Sequence, residues 1–117
     1  MTDIYLDPLA AAMPDAADQL RHLADTGHRL HVLGATPPAL AGALDVEEAD
    51  ELPSSPVAGS WLLTASSDLC GERRPPLSSM FIGPKPAPSP RPAPRCDADA
   101  RDLAAAVLEI LRREAMG

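Results

Sequence analysis

The first 34 residues constrain the fold most, because two kinds of periodicity alternate there over short connections. Residues 3–7, DIYLD, place apolar side chains between acids and predict a strand that Pro8 ends. Residues 29–34, RLHVLG, alternate apolar and polar side chains and predict a second strand. A helical pattern lies between them. Strand, helix and strand joined this tightly form a βαβ unit, which predicts a parallel sheet with a right-handed crossover.

The helix between these strands has clear start and stop signals. Pro14 lies where the helix would begin, and Gly27 is well placed to end it. Apolar residues recur at helical spacing and predict one buried face. That face comprises Met13, Ala17, Leu20, Leu23 and Ala24.

The rest of the chain continues the alternation of helices and strands. Thr36 is predicted to cap a short helix that ends near Leu44, and an edge strand is predicted over Val46 to Ala49. The segments SWLLTA (60–65) and SSMFIGP (78–84) predict two further strands. We therefore expect a three-layer, doubly wound α/β domain, with a small, mostly parallel sheet of about five strands and helices on both faces.

Every even-numbered residue from 84 to 94 is proline, which excludes a helix or a central strand there. Extended polyproline II is the expected form, as a strap that leads to the last helix. Binding of the strap by a proline-recognising partner is the alternative.

The last helix is predicted over about residues 99–115, with Asp97 or Asp99 as its cap. Ile110 borders its apolar face, where a core position is favoured over a dimer contact. The predicted face comprises Leu103, Ala104, Val107, Leu108 and Leu111.

Composition narrows the class of protein. The 117 residues suit a single domain over 1–117. The net charge is -7 and Lys85 is the only lysine, so binding to nucleic acid or to a membrane surface is not expected. The acidic N-terminus does not resemble a signal peptide, and the cytoplasm is the expected location. Cys70 and Cys96 are accordingly expected to remain thiols.

Function in an open parallel sheet collects at the carboxyl ends of the strands. Three predicted strands end in small polar or acidic side chains, so their loops are expected to meet at one edge of the sheet. The candidate residues there are Asp7, Thr36, Thr64, Ser66, Ser67 and Asp68.

The order of these segments resembles the haloacid dehalogenase-like (HAD) superfamily of phosphatases and phosphotransferases. IYLD, the helix that begins near Pro14, the strand RLHVLG, WLLTASSD and SSMFIG follow one another as that family's elements do. The resemblance implies a small, Rossmann-like domain without a cap. It also implies that Asp7 occupies the place of the nucleophile, and that Asp7 and Asp68 would hold Mg²⁺.

The departures from the family pattern lie in its chemistry. Leu9 stands where the second acid belongs, no lysine occurs in residues 1–84, and Ala65 and Ser66 replace the paired acids. Phosphoryl transfer needs a metal held by carboxylates and a cation beside the transferring oxygens. We therefore expect a noncatalytic domain without a cofactor, which acts by binding a protein partner or as a homodimer. The alternative is a weak or unusual Mg²⁺-dependent phosphatase that uses Asp7, with Asp68 and Asp3 as imperfect metal ligands.

Other catalytic patterns are absent from the sequence. His22, His28 and His31 do not share one face by any simple spacing, so a histidine metal site is not expected. No G-x-S-x-G motif accompanies Ser66 and Ser67, which argues against a serine hydrolase.

Overall fold

A computed structural model describes residues 3–52, 58–65, 77–83 and 96–116. The strands are β1 (Asp3–Leu6), β2 (Arg29–Leu33), β3 (Val46–Ala49), β4 (Trp61–Thr64), β5 (Ser78–Ile82) and β6 (Ala98–Ala100). The helices are α1 (Pro8–Ala11), α2 (Ala16–Asp25), α3 (Pro38–Ala41) and α4 (Leu103–Met116).

The strands form one sheet of order β3-β2-β1-β4-β5-β6, and every neighbouring pair is parallel. The chain winds outward from β1 to β3, returns to the other side of β1, and winds outward again through β4, β5 and β6. This is the doubly wound α/β fold expected from the sequence, with six strands instead of about five. Its central pair, β1 and β4, is buried along its whole length.

The predicted first helix is present as α2, and it is preceded by a short additional helix. Gly27 follows α2 with φ +95°, a conformation in which a side chain would be strained, so the predicted stop is confirmed. Pro8 ends β1 but also begins α1, with Asp7 as the N-cap. Aspartate at the cap followed by proline in the first turn is a recognised start signal, which the sequence analysis did not use.

One face of the sheet carries the main core. Ile4, Leu6, Val32 and Leu63 are fully buried there, and each of the four helices contributes buried side chains to the same cluster. The opposite face has a smaller described cluster around Tyr5, with Leu52 and Leu62. The connections 66–76 and 84–95 lie outside the described residues, so a helical layer on the second face stays a prediction.

The C-terminal region differs from its prediction. Residues 98–100 form β6 instead of the first turn of the last helix, because they pair with β5 and Asp97 accepts a hydrogen bond from the Ser79 amide at 2.9 Å. Tertiary pairing thus overrides the local helical preference of this alanine- and acid-rich segment. The helix begins at Leu103, and Asp102 accepts a hydrogen bond from the Ala105 amide at 2.8 Å in place of a cap at Asp97 or Asp99.

The orientation of α4 also corrects the predicted apolar face. Ile110 is fully buried, as favoured, but Leu108 is 69% exposed. The inner face is set by packing against α2 and the sheet. Its buried residues are Leu103, Ala106, Val107 and Ile110. Leu108 points away from this face, so its predicted place in the core is wrong.

Cys96 is disulfide-bonded, so the prediction that it remains a thiol is wrong. The only other cysteine of the sequence, Cys70, lies outside the described residues, as does the proline-rich segment 84–94. Among the described helices, none combines the length and the apolar character needed to cross a membrane.

Candidate functional site

The winding of the chain reverses between β1 and β4, and their carboxyl ends lie side by side. In an open α/β sheet, this switch point is where ligands bind. Asp7 directly follows β1, and Thr64 is the last residue of β4. The structure places them in contact, because the Thr64 hydroxyl donates a hydrogen bond to Asp7 Oδ2 at 2.5 Å.

The Asp7 carboxylate is almost completely enclosed by hydrogen-bond donors. Its Oδ1 accepts from the Ala10 amide at 2.6 Å, which caps α1, and its Oδ2 also accepts from the Ala65 amide at 3.0 Å. The Asp7 amide itself donates to the Leu63 carbonyl at 3.1 Å. Asp7 is only 2% exposed. The side chain therefore joins β1, α1 and the end of β4, and each of these donors is uncharged.

Thr36 lies on a neighbouring loop of the same edge. This loop leaves β2 through Gly34, which has φ +115°, and a Cβ at Gly34 would lie 3.6 Å from the Pro8 ring. The loops after β1 and β2 are therefore packed together. The Thr36 amide donates to Glu48 Oε2 at 2.7 Å, whereas its buried hydroxyl oxygen has no hydrogen-bond partner.

Thr36 does not cap the following helix as predicted. The N-cap of α3 is Pro37, and no side chain accepts a hydrogen bond there. The reason lies in the two consecutive prolines, which shift the start of the helix one residue beyond the reach of the Thr36 side chain.

The predicted metal ligands are not brought together within the described chain. Asp68, Ser66 and Ser67 lie outside the described residues. Asp3 begins β1 whereas Asp7 follows its end, so about 13 Å of extended strand separates them and Asp3 cannot share a metal with Asp7. In the described ranges, no three His, Cys, Asp or Glu side chains are grouped so that they could hold a metal ion.

A second group of charged side chains, missed by the sequence analysis, lies near the amino end of β1. Asp3 Oδ1 is 2.9 Å from Arg29 Nε and 3.1 Å from His31 Nε2. The other ring nitrogen of His31 lies 3.4 Å from Glu47 Oε2. The His31 ring stacks on Tyr5, with ring centroids 4.8 Å apart. We call these five residues the β1–β3 ionic cluster.

The register of the sheet explains this cluster. Tyr5 pairs with His31, and His31 pairs with Glu47, so the three side chains stand in a row across β1, β2 and β3. Asp3 and Arg29 form the preceding pair on the same face. Alternation in DIYLD and RLHVLG indicates which residues share a face, but only the register, which requires the folded sheet, indicates which ones meet.

Burial and neighbouring charges act on Tyr5. Burial raises the pKa of its phenol above the ordinary value of 10.0, and the negative charges of Asp3 and Glu47 raise it further, while Arg29 opposes them. The phenol is therefore held in its neutral form. The cluster thus consists of two acids, an arginine and a histidine around a neutral phenol, and it lacks an evident nucleophile.

The other histidines have separate structural roles. His28 is buried, and its Nε2 lies 2.8 Å from a carboxylate oxygen of Glu114 near the end of α4. His22 is exposed on the last turn of α2. The three histidines thus lie on α2, shortly after α2 and on β2, each with its own surroundings.

Comparison with protein-family models, with curated proteins and with solved structures finds no match to this chain. The resemblance to the HAD superfamily therefore rests on the order of the elements and on the position of Asp7. The chemistry available at the carboxyl edge has to be judged from its geometry alone.

Proposed function

We propose that this chain is a noncatalytic HAD-like α/β domain that acts by binding a protein partner or a second copy of itself. The observation that carries this proposal is the state of the Asp7 carboxylate. A nucleophilic carboxylate must present a free oxygen to a substrate at the open edge of the sheet. Both oxygens of Asp7 instead accept hydrogen bonds from the surrounding protein, and the side chain is buried.

The positions around Asp7 support the same proposal. Leu9, where the family has its general acid, has no ionisable group and is 62% exposed on α1. The only lysine of the sequence, Lys85, comes after the last strand expected to contribute to such a site. Stabilisation of a transferring phosphoryl group needs positive charge beside the transferring oxygens, and the described hydrogen-bond donors to Asp7 are uncharged.

A magnesium-dependent phosphatase is the second candidate, and one observation favours it. The hydroxyl of Thr36 is buried without a partner on the loop beside Pro8, at the edge where a phosphate would bind. In this reading Asp7 would act as nucleophile and would hold Mg²⁺ together with Asp68. The described hydrogen bonds on Asp7 would then have to be exchanged for the metal.

Hydrolysis of an aryl phosphate, measured with and without Mg²⁺, separates the two candidates. We expect no metal-dependent turnover by the wild-type protein, and no rise of its melting temperature on addition of Mg²⁺. The variant Asp7→Asn and the control Asp50→Asn, at an exposed acid, should have the same background rate. Metal-dependent turnover that is lost in Asp7→Asn and kept in Asp50→Asn would make the protein an enzyme.

A cytoplasmic location is part of the proposal, and the state of Cys96 is the observation that opposes it. Disulfides persist in oxidising compartments and are rare in the cytoplasm. Rapid acid quenching of cells, followed by thiol alkylation and mass measurement, determines the state of both cysteines. Alkylation of both Cys70 and Cys96 would support a cytoplasmic location, whereas absence of alkylation at both would indicate an oxidising compartment.

A further inference from the structure

The outer face of α4 carries an apolar stripe that the fold buries only in part. Leu108 is 69% exposed, and it shares this face with Leu111, which is half-buried. Two alanines extend the stripe by one turn at each end, which gives Ala104, Leu108, Leu111 and Ala115. Spacings of four, three and four residues are those of a coiled-coil seam. We call these four residues the α4 stripe.

The stripe borders the face that α4 uses within the domain, and Leu111 also packs against the core. Val107 and Ile110 are buried against the core, and Arg113 lies over the ring of Trp61, 5.2 Å from its centroid. These contacts fix the rotation of α4 about its own axis. Leu108 is therefore held in solvent by the packing of the inner face, instead of being free to turn inward.

We propose that a second copy of this chain covers the α4 stripe, with the two helices antiparallel about a twofold axis. The proposal names the surface of the self-association considered under the proposed function, and it rests on that function. A twofold axis between Leu108 and Leu111 places Leu108 against the partner's Leu111, and Ala104 against the partner's Ala115. The alanines at both ends allow the helices to approach closely, and every stripe residue gains an apolar neighbour.

The charges beside the stripe favour this orientation. Within one chain, Arg112 donates to both carboxylate oxygens of Glu109, at 2.8 and 2.9 Å. The same twofold axis places Arg112 within two residues, about 3 Å along the helix, of the partner's Glu109 on the same flank. Two acids and two arginines then form one alternating group. A parallel pair would instead place the two Arg112 side chains on opposite sides of the interface, so this alternating group would not form.

Molar mass measured by light scattering, over a wide range of protein concentration, tests the proposal. We expect the wild-type mass to approach twice the 12.3 kDa of one chain as the concentration rises. Leu108→Glu should remain a monomer at each concentration, with an unchanged circular dichroism spectrum. The matched control is Leu9→Glu, at a second exposed leucine, which should dimerise like the wild type. A wild-type monomer throughout the range, or a dimer of Leu108→Glu, overturns the proposal.

Charge reversal gives an independent test that does not depend on the folding of Leu108→Glu. Arg112→Glu and Glu109→Arg should each weaken the dimer about tenfold or more, because each places like charges together across the axis. The double variant restores alternating charges and should recover most of the affinity. Equal dimerisation of all four proteins contradicts the antiparallel arrangement.

These results are separable from the proposed function. A dimer that also shows Mg²⁺-dependent turnover would leave the α4 interface standing and reject the noncatalytic proposal. A monomer without turnover would reject the α4 interface and leave the noncatalytic proposal standing.

Discussion

Two buried aspartates at opposite ends of the first strand show two ways of holding a carboxylate inside this domain. Asp7, after the carboxyl end of β1, accepts hydrogen bonds from two backbone amides and the Thr64 hydroxyl. Asp3, at the amino end, faces the Arg29 guanidinium and the His31 ring. The two are similarly buried, at 2% and 5% exposure. The partners of Asp7 are backbone amides and a hydroxyl, whereas the partners of Asp3 are an arginine and a histidine side chain.

The difference separates a structural carboxylate from one that belongs to a network of charges. Backbone amides are fixed by the fold and keep their protons, so the bonds of Asp7 cost little further ordering. Arg29 is a long side chain that is 57% exposed, and an ion pair to such a group contributes little to stability. Asp7 should therefore matter more to the folded state, although Asp3 has the Arg29 guanidinium as a partner.

Replacement of Asp7 by alanine should produce the largest loss of stability. The change removes the cap of α1 and the carboxylate oxygen that accepts from the Thr64 hydroxyl and the Ala65 amide. We expect the free energy of unfolding to fall by about 3 kcal/mol, as for lost charge-assisted bonds with buried donors left behind. Urea denaturation followed by circular dichroism measures the change.

Asp50→Ala, at an exposed acid, is the control for Asp7→Ala and should change the free energy by less than about 0.5 kcal/mol. If Asp7→Ala were as stable as this control, the carboxylate would not be a structural tie. A catalytic use of Asp7 would then gain weight, since residues kept for activity often contribute little to stability.

Replacement of Asp3 by alanine should have an intermediate effect. The variant loses the contact with His31, whose side chain is 12% exposed, while Arg29 can return to solvent. We expect a loss of about 1.5 kcal/mol at neutral pH, about half that of Asp7→Ala. The same urea measurement applies, and a larger loss than for Asp7→Ala would reverse the proposed ranking.

The smallest expected effect is a shift in the titration of Tyr5, the only tyrosine of the chain. Its pKa is raised by burial and then by Asp3, so the folded protein retains the phenol proton above pH 10, where the unfolded chain releases it. Stability should accordingly fall as the pH rises from about 10 through the folded-state value. Tyrosinate absorbance gives this pKa directly.

Asp3→Asn sharpens this titration experiment, because it removes a negative charge close to the phenol. The midpoint of the Tyr5 titration should fall toward the ordinary value but stay above it, since burial is the larger cause. Tyr5→Phe should abolish the absorbance change and flatten the loss of stability above pH 10. An unchanged midpoint in Asp3→Asn would remove Asp3 from the cluster that we describe.

Elements whose local pattern agrees with their tertiary pairing could be predicted from the sequence. β3 is predicted over the residues that form it, and Gly27 ends α2 where expected. β6 could not be predicted, because its three residues carry no strand pattern and acquire their structure from pairing with β5. Leu108 was assigned to the core because a helix rich in alanine and leucine permits more than one buried face.

The candidate site was predictable to a similar degree. Asp7 and Thr64 follow strands that the sequence places in one sheet, so their position at one edge could be expected. What could not be expected is that they bond to each other, since this depends on β1 and β4 being direct neighbours. The β1–β3 ionic cluster has the same origin, because its members are remote in sequence and meet only through the register.

The adjacency of β1 and β4 has a consequence for the order in which the chain assembles. Asp7 and Thr64 are 57 residues apart in sequence, whereas Asp3 and Arg29 are 26 apart. The pairing of β1 with β4, which we call the central seam, therefore joins two halves of the sheet whose own strand pairs are closer in sequence. Closing the longer loop costs more chain entropy, and the seam should form after the pairing of β1 with β2. The bonds of Asp7 would then be absent from the folding transition state. Their loss would accelerate unfolding and leave the folding rate nearly unchanged.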